Sequence, residues 1–168
     1  DDGGQDHLPG FDADFLKGCG GEKNPQPACR KGGLSWQPYS APDSVVDLDR
    51  ALSPQERAAA YAYREIIGDG DKLVLVSLGS NDGCRVWLNG EQVWDYAAGR
   101  GLKPDQDLIP VMLRKGKNRL LLKIEERGNR WQFCVRLQPF SFQTLADQGR
   151  LFHIRQRPNG AAVLQFKQ

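Results

Sequence analysis

Between Trp94 and Asp107 the chain gathers residue types that recognise polyols. Trp94 and Tyr96 offer flat apolar rings for the C–H face of a sugar. Arg100, Asp105 and Asp107 offer a planar fork of donors and two carboxylates for its hydroxyls. The same side chains can instead satisfy one another, with Arg100 paired to Asp105 or Asp107 and Trp94 in the core. Catalysis asks for more. Carboxylates two residues apart on a loop give no reason for split pKa values, nor for the separation of roughly 5–9 Å that glycosidases use. With no Gly-x-Ser-x-Gly, no cysteine beside a base and no phosphate-cradling glycine loop, no catalytic residue is assigned, and the chain is expected to be non-catalytic.

Two further groups bear on chemistry. In Asn81-Asp82-Gly83 the side-chain oxygens of Asn81 and Asp82 are candidate ligands for calcium, a hard cation that takes several oxygens. A plain turn, with Gly83 at positive φ, is the alternative. Cys19 and Cys29 bracket a loop with no hydrophobic periodicity, so a disulfide is expected there, contributing about 2–3 kcal/mol; two thiols in a reducing compartment are the alternative. His7 and His153 lack a zinc-ligand pattern.

These residues must be held by something, and the pattern that holds them is alternation. Residues 1–43 are dense in Gly, Pro, Asp and Lys with isolated aromatics (Phe11, Phe15, Trp36, Tyr39), which reads as loops anchored by rings. Ser53 with Pro54 and Glu56 is expected to start one helical turn. Strands are expected over 58–67, 72–78, 84–88, 91–94, 108–113, 118–125 and 131–137. Asn89-Gly90 is the tightest hairpin signal. Residues 138–149 read as a linker and 151–166 as a terminal hairpin on the same domain. The result is an all-β antiparallel sandwich, or jelly roll, over 1–137. Two-residue periodicity puts Cys84, Val86, Leu88, Leu120, Leu122, Ile124, Trp131, Phe133, Val135 and Leu137 inward. Cys84 and Cys134 fall on opposite faces and are expected to stay unbridged. Trp87 and Leu121 form an apolar trace on the outer face, a candidate interaction surface that the terminal hairpin is best placed to cover.

Composition narrows the class. In 168 residues the net charge is +2, too small a field for a polyanion, and the basic run Arg114-Lys115-Gly116-Lys117 has no interleaved aromatics, so nucleic acid is not an expected partner. No apolar run approaches the roughly 18–20 residues of a membrane span, so membrane insertion is not expected either.

The run Leu78-Gly79-Ser80-Asn81-Asp82-Gly83-Cys84-Arg85-Val86-Trp87-Leu88-Asn89-Gly90, with Arg100-Gly101-Leu102-Lys103-Pro104-Asp105-Gln106-Asp107, Val111-Met112-Leu113-Arg114-Lys115-Gly116-Lys117-Asn118, Leu120-Leu121-Leu122-Lys123 and Trp131-Gln132-Phe133, resembles jelly-roll accessory domains. These are the protective-antigen-type and galactose-binding-like sugar-binding domains attached to bacterial glycoside hydrolases. The resemblance spans residues 46–137. It implies a carbohydrate-binding or carbohydrate-associated module of a larger secreted, periplasmic or cell-surface protein, with a polysaccharide or neighbouring domains as partners. The alternative is a scaffold that packs on an adjoining catalytic or repeat domain. Such modules open with a further strand, which would lie upstream of Asp1. Where related domains bind sugar through calcium they use paired aspartates, and Asn81 replaces the first.

Overall fold

The structure, a computed structural model, describes residues 9–31, 35–128, 130–147, 152–156 and 162–166. His7 lies outside them. By contacts the chain divides into residues 1–138 and 139–168.

Eight strands build the larger unit: β1 Val46–Asp47, β2 Ala58–Gly68, β3 Lys72–Ser80, β4 Cys84–Leu88, β5 Glu91–Tyr96, β6 Asp107–Leu113, β7 Gly116–Glu126 and β8 Gln132–Pro139. They form two four-stranded sheets, ordered β1-β8-β3-β6 and β2-β7-β4-β5. The first strand pairs with the eighth, the second with the seventh, the third with the sixth and the fourth with the fifth. That is one long antiparallel ribbon folded over into two layers, the jelly-roll winding. The expected all-β sandwich is therefore the observed architecture. Leu78, Cys84, Val86, Leu120, Leu122, Ile124, Trp131 and Phe133 meet in the core between the sheets, as the alternation required, and Val135 packs against it. Leu137, expected inside, is 38% exposed, because β8 runs past the core at that end. Asn89 (φ 54°) and Gly90 (φ 87°) both lie in the left-handed region that a two-residue hairpin demands.

The helices depart from expectation. The first helical turn precedes Ser53 rather than following it. Helix α1 spans Leu48–Leu52, capped by the Asp47 carboxylate, which accepts from the Arg50 amide at 3.1 Å. Ser53, at φ 104°, ends it, because the residue before a proline is driven out of the helical region. Within 139–168, helix α2 (Phe142–Asp147) occupies part of the expected linker, with the Ser141 hydroxyl accepting from the Thr144 amide. Strands β9 (Phe152–Gln156) and β10 (Ala162–Phe166) pair antiparallel as the terminal hairpin.

The outer face of the β2-β7-β4-β5 sheet is covered by the N-terminal segment. Leu16 packs on Trp87 and Leu121, with Trp36, Tyr61 and Tyr63 around them. Trp87 and Leu121 are 3% and 1% exposed, so the interaction surface read from the sequence is interior to the chain, and residues before β1 cover it.

Candidate functional site

The residues singled out between β5 and β6 do come together, but on one another. The Arg100 guanidinium donates from Nη1 to Asp107 Oδ1 at 3.0 Å and from Nη2 to Asp107 Oδ2. The same Nη2 reaches Ser80 Oγ at 2.9 Å, and the Arg100 Cζ lies 4.0 Å from the centroid of the Tyr96 ring. Burial works against the charge on Arg100, but the bonds and charge of Asp107 outweigh it and leave the pKa raised. Cys84 lies alongside, its thiol pushed up to about 11 by burial. Trp94 packs against the core. Asp105 belongs elsewhere: both its oxygens accept from Arg136, at 2.9 and 2.6 Å, and that bond holds its carboxyl below the usual range. Of the two readings of this loop, the geometry matches the self-satisfied one, with Asp107 as the partner of Arg100 and Trp94 against the core. Arg100 and Asp107 are closed on each other, with side chains only 13% and 5% exposed, and little of their hydrogen-bonding capacity faces outward.

The turn beside them is likewise occupied. The left-handed residue is Asp82 (φ 52°), not Gly83. Gly83 is needed for another reason: a Cβ there would sit 2.4 Å from Glu125 Oε2. Asp82 accepts from the Arg127 amide at 3.0 Å, and burial pushes its carboxyl upward. The Asn81 amide donates to the Gln132 carbonyl at 2.9 Å. Among the described residues no three His, Cys, Asp or Glu side chains converge to hold a metal.

An open concavity lies instead where residues before β1 meet the start of β2. A cleft of about 390 Å³ is bounded by Phe11, Phe15, Trp36, Leu52, Arg57 and Tyr61, with Ala58–60 along one side. Its size falls within the range of small-ligand pockets, about 300–1,000 Å³. On β2, Ala58 and Ala60 pack toward the core while Ala59 stands on the opposite face, so one methyl group on the face where Tyr61 and Tyr63 carry rings leaves the hollow. Phe15 is 48% and Leu52 46% exposed. Trp36 is steadied edge-on against Tyr63, ring centroids 5.8 Å apart.

A buried polar clamp fixes the wall that carries these rings. The Lys123 ammonium, on a side chain with no exposed surface, donates to the Phe11 carbonyl at 2.7 Å, the Ala13 carbonyl at 2.6 Å and Glu22 Oε1 at 3.0 Å. Tyr61 donates to the same Glu22 oxygen at 2.6 Å. Burial pulls the Lys123 pKa down; burial first, then Glu22, push that of Tyr61 up. Arg85 adds a bond to the Phe11 carbonyl at 2.8 Å and an ion pair to Asp12 at 2.6 Å. Cys19 and Cys29 form the expected disulfide, Cα atoms 5.6 Å apart, while Cys84 and Cys134 remain free and buried. Of the rings read as anchors, Phe11 is buried and Trp36 half-buried, while Phe15 and Tyr39 are 48% and 45% exposed; the reading did not foresee that Phe11, Phe15 and Trp36 edge a cleft. The available signal was the Ala58-Ala59-Ala60 run inside a strand.

No family model and no curated protein matches the chain. Among solved structures it is similar to a beta-glucosidase from Kluyveromyces marxianus in complex with glucose, with a TM-score of 0.42 and 13% identity, covering 63% of this chain and 14% of that one. It is also similar to a glycosyl hydrolase family 2 member from Bacteroides cellulosilyticus, with a TM-score of 0.43 and 12% identity, covering 65% of this chain and 18% of that one. The chain spans less than a fifth of either enzyme.

Proposed function

We propose that the chain is a non-catalytic carbohydrate-binding module of a larger exported protein, and that it takes its glycan in the cleft between the N-terminal segment and β2. The observation that carries this reading is the cleft itself, a ligand-sized hollow edged by a half-exposed phenylalanine and a braced tryptophan. Rings held in place by packing cover the C–H face of a sugar at little entropic cost. The disulfide supports an oxidising compartment. The two carboxylates of the β5–β6 loop support a role in binding rather than in bond cleavage: Asp105 is held below the usual range by Arg136, and Asp107 has both oxygens on Arg100.

Native affinity electrophoresis against a panel of soluble polysaccharides tests the proposal. Retardation by at least one polymer is expected, lost in Phe15→Ala and Trp36→Ala and kept in Trp94→Ala. Loss in Trp94→Ala with retention in Phe15→Ala would move the site back to β5. A folded protein retarded by nothing would leave the second reading, a scaffold docking on a neighbouring domain, which the mostly apolar lining of the cleft favours.

A further inference from the structure

We infer that the glycan selected by this cleft is acidic, a uronate-bearing polysaccharide whose carboxylate is taken by Arg57; the inference rests on the carbohydrate reading above. Among the described residues Arg57 is the one charged side chain lining the cleft. Its side chain is exposed and makes no hydrogen bond or ion pair among the described residues, whereas Arg85, Arg100, Arg127 and Arg136 each hold a carboxylate of this chain. Two carboxylates of the N-terminal segment are occupied by the chain itself. Asp14 accepts from the amides of Leu16 at 2.9 Å and Glu22 at 3.2 Å, and Glu22 is bound by Lys123 and Tyr61.

The backbone adds a second, independent argument. Arg57 sits at φ 55°, in the left-handed region where a side chain is strained and glycine is not. The fold would be served better by glycine at this position, and it makes no internal use of the guanidinium. An outward role is left. A planar fork with its donors unengaged, at the rim of an apolar cleft, matches a carboxylate in two parallel bonds. Phe15 and Trp36 would meanwhile cover the C–H face of the sugar carrying that carboxylate.

The test uses the full chain and oligogalacturonate, the same oligosaccharide after reduction of its carboxyl groups, and polyglutamate as an anion without sugar rings. Titration calorimetry at fixed salt is expected to show binding of the first alone. Arg57→Gln should weaken it about tenfold or more. Arg57→Gly should weaken it as much while leaving the thermal midpoint unchanged or raised, which separates binding from folding. Equal binding of the carboxyl-reduced form, or unchanged affinity in Arg57→Gln, overturns the acidic selection and leaves the carbohydrate reading standing. Equal binding of polyglutamate overturns it in favour of simple charge attraction. No binding of any neutral or acidic glycan removes both.

Discussion

The β5–β6 loop and the N-terminal cleft contain the same kinds of residues, aromatic rings beside an arginine, and they do opposite things. Around Arg100 the guanidinium is bonded to Asp107 and Ser80, stacked on Tyr96 and largely buried. Around Arg57 the guanidinium makes no hydrogen bond or ion pair among the described residues, and Phe15 stands half exposed beside it. The first set closes the end of the sandwich; the second faces a hollow. Residue types therefore nominate sites, and unengaged hydrogen-bonding capacity decides between them.

The comparison is sharpened most strongly at Arg100. Arg100→Ala leaves Asp107 buried without its partner, and urea denaturation should show a loss of about 3–5 kcal/mol. Among molecules still folded, glycan affinity should be unchanged; a selective loss of binding would merge the two regions into one site. Next in size is the staple. Cys19→Ser with Cys29→Ser should lower stability by about 2–3 kcal/mol in the same assay. Phe15→Ala inverts the pattern of Arg100→Ala: with half its surface already in water, it should move stability by no more than about 0.5 kcal/mol and still abolish retardation.

The smallest effect is one of pH. Glu126 is 2% exposed, its Oε2 has no hydrogen-bond partner, and burial, aided by the Asp82 carboxyl, raises it above its ordinary 4.5. The folded state thus holds a proton that the unfolded chain has released, so this group makes stability fall as pH climbs from about 4.5 through the raised value. The lowered carboxyls Asp47 and Asp105 act in the opposite sense only below about 4, while the raised Asp82 acts in the same sense as Glu126 and keeps part of the decline when Glu126 is replaced. Urea midpoints measured from about pH 5 to 7 should show a shallower decline in Glu126→Gln than in the parent; an identical slope would refute the assignment.

Much of the sandwich was legible because each strand declares a face every second residue and Asn89-Gly90 admits few other turns. The helices were not, since five or six residues are too short to show a helical period, and Pro54 reads as a start signal as readily as a stop. Partner choice was the deeper gap. Arg100 had two carboxylates within reach in sequence, and only the closing of β6 onto β3 selects Asp107. The cover over Trp87 was legible only as a segment with anchoring rings: part of its fastening runs through the carbonyls of Phe11 and Ala13, groups every residue carries.

That fastening makes Lys123 a built-in reporter. An amine with no exposed surface, gripped by two carbonyls and a carboxylate, should be passed over by acylating reagents that modify the lysines around it. Mass spectrometry of a labelled sample would then read, from this one amine, how often the leading segment lifts away from the sheet.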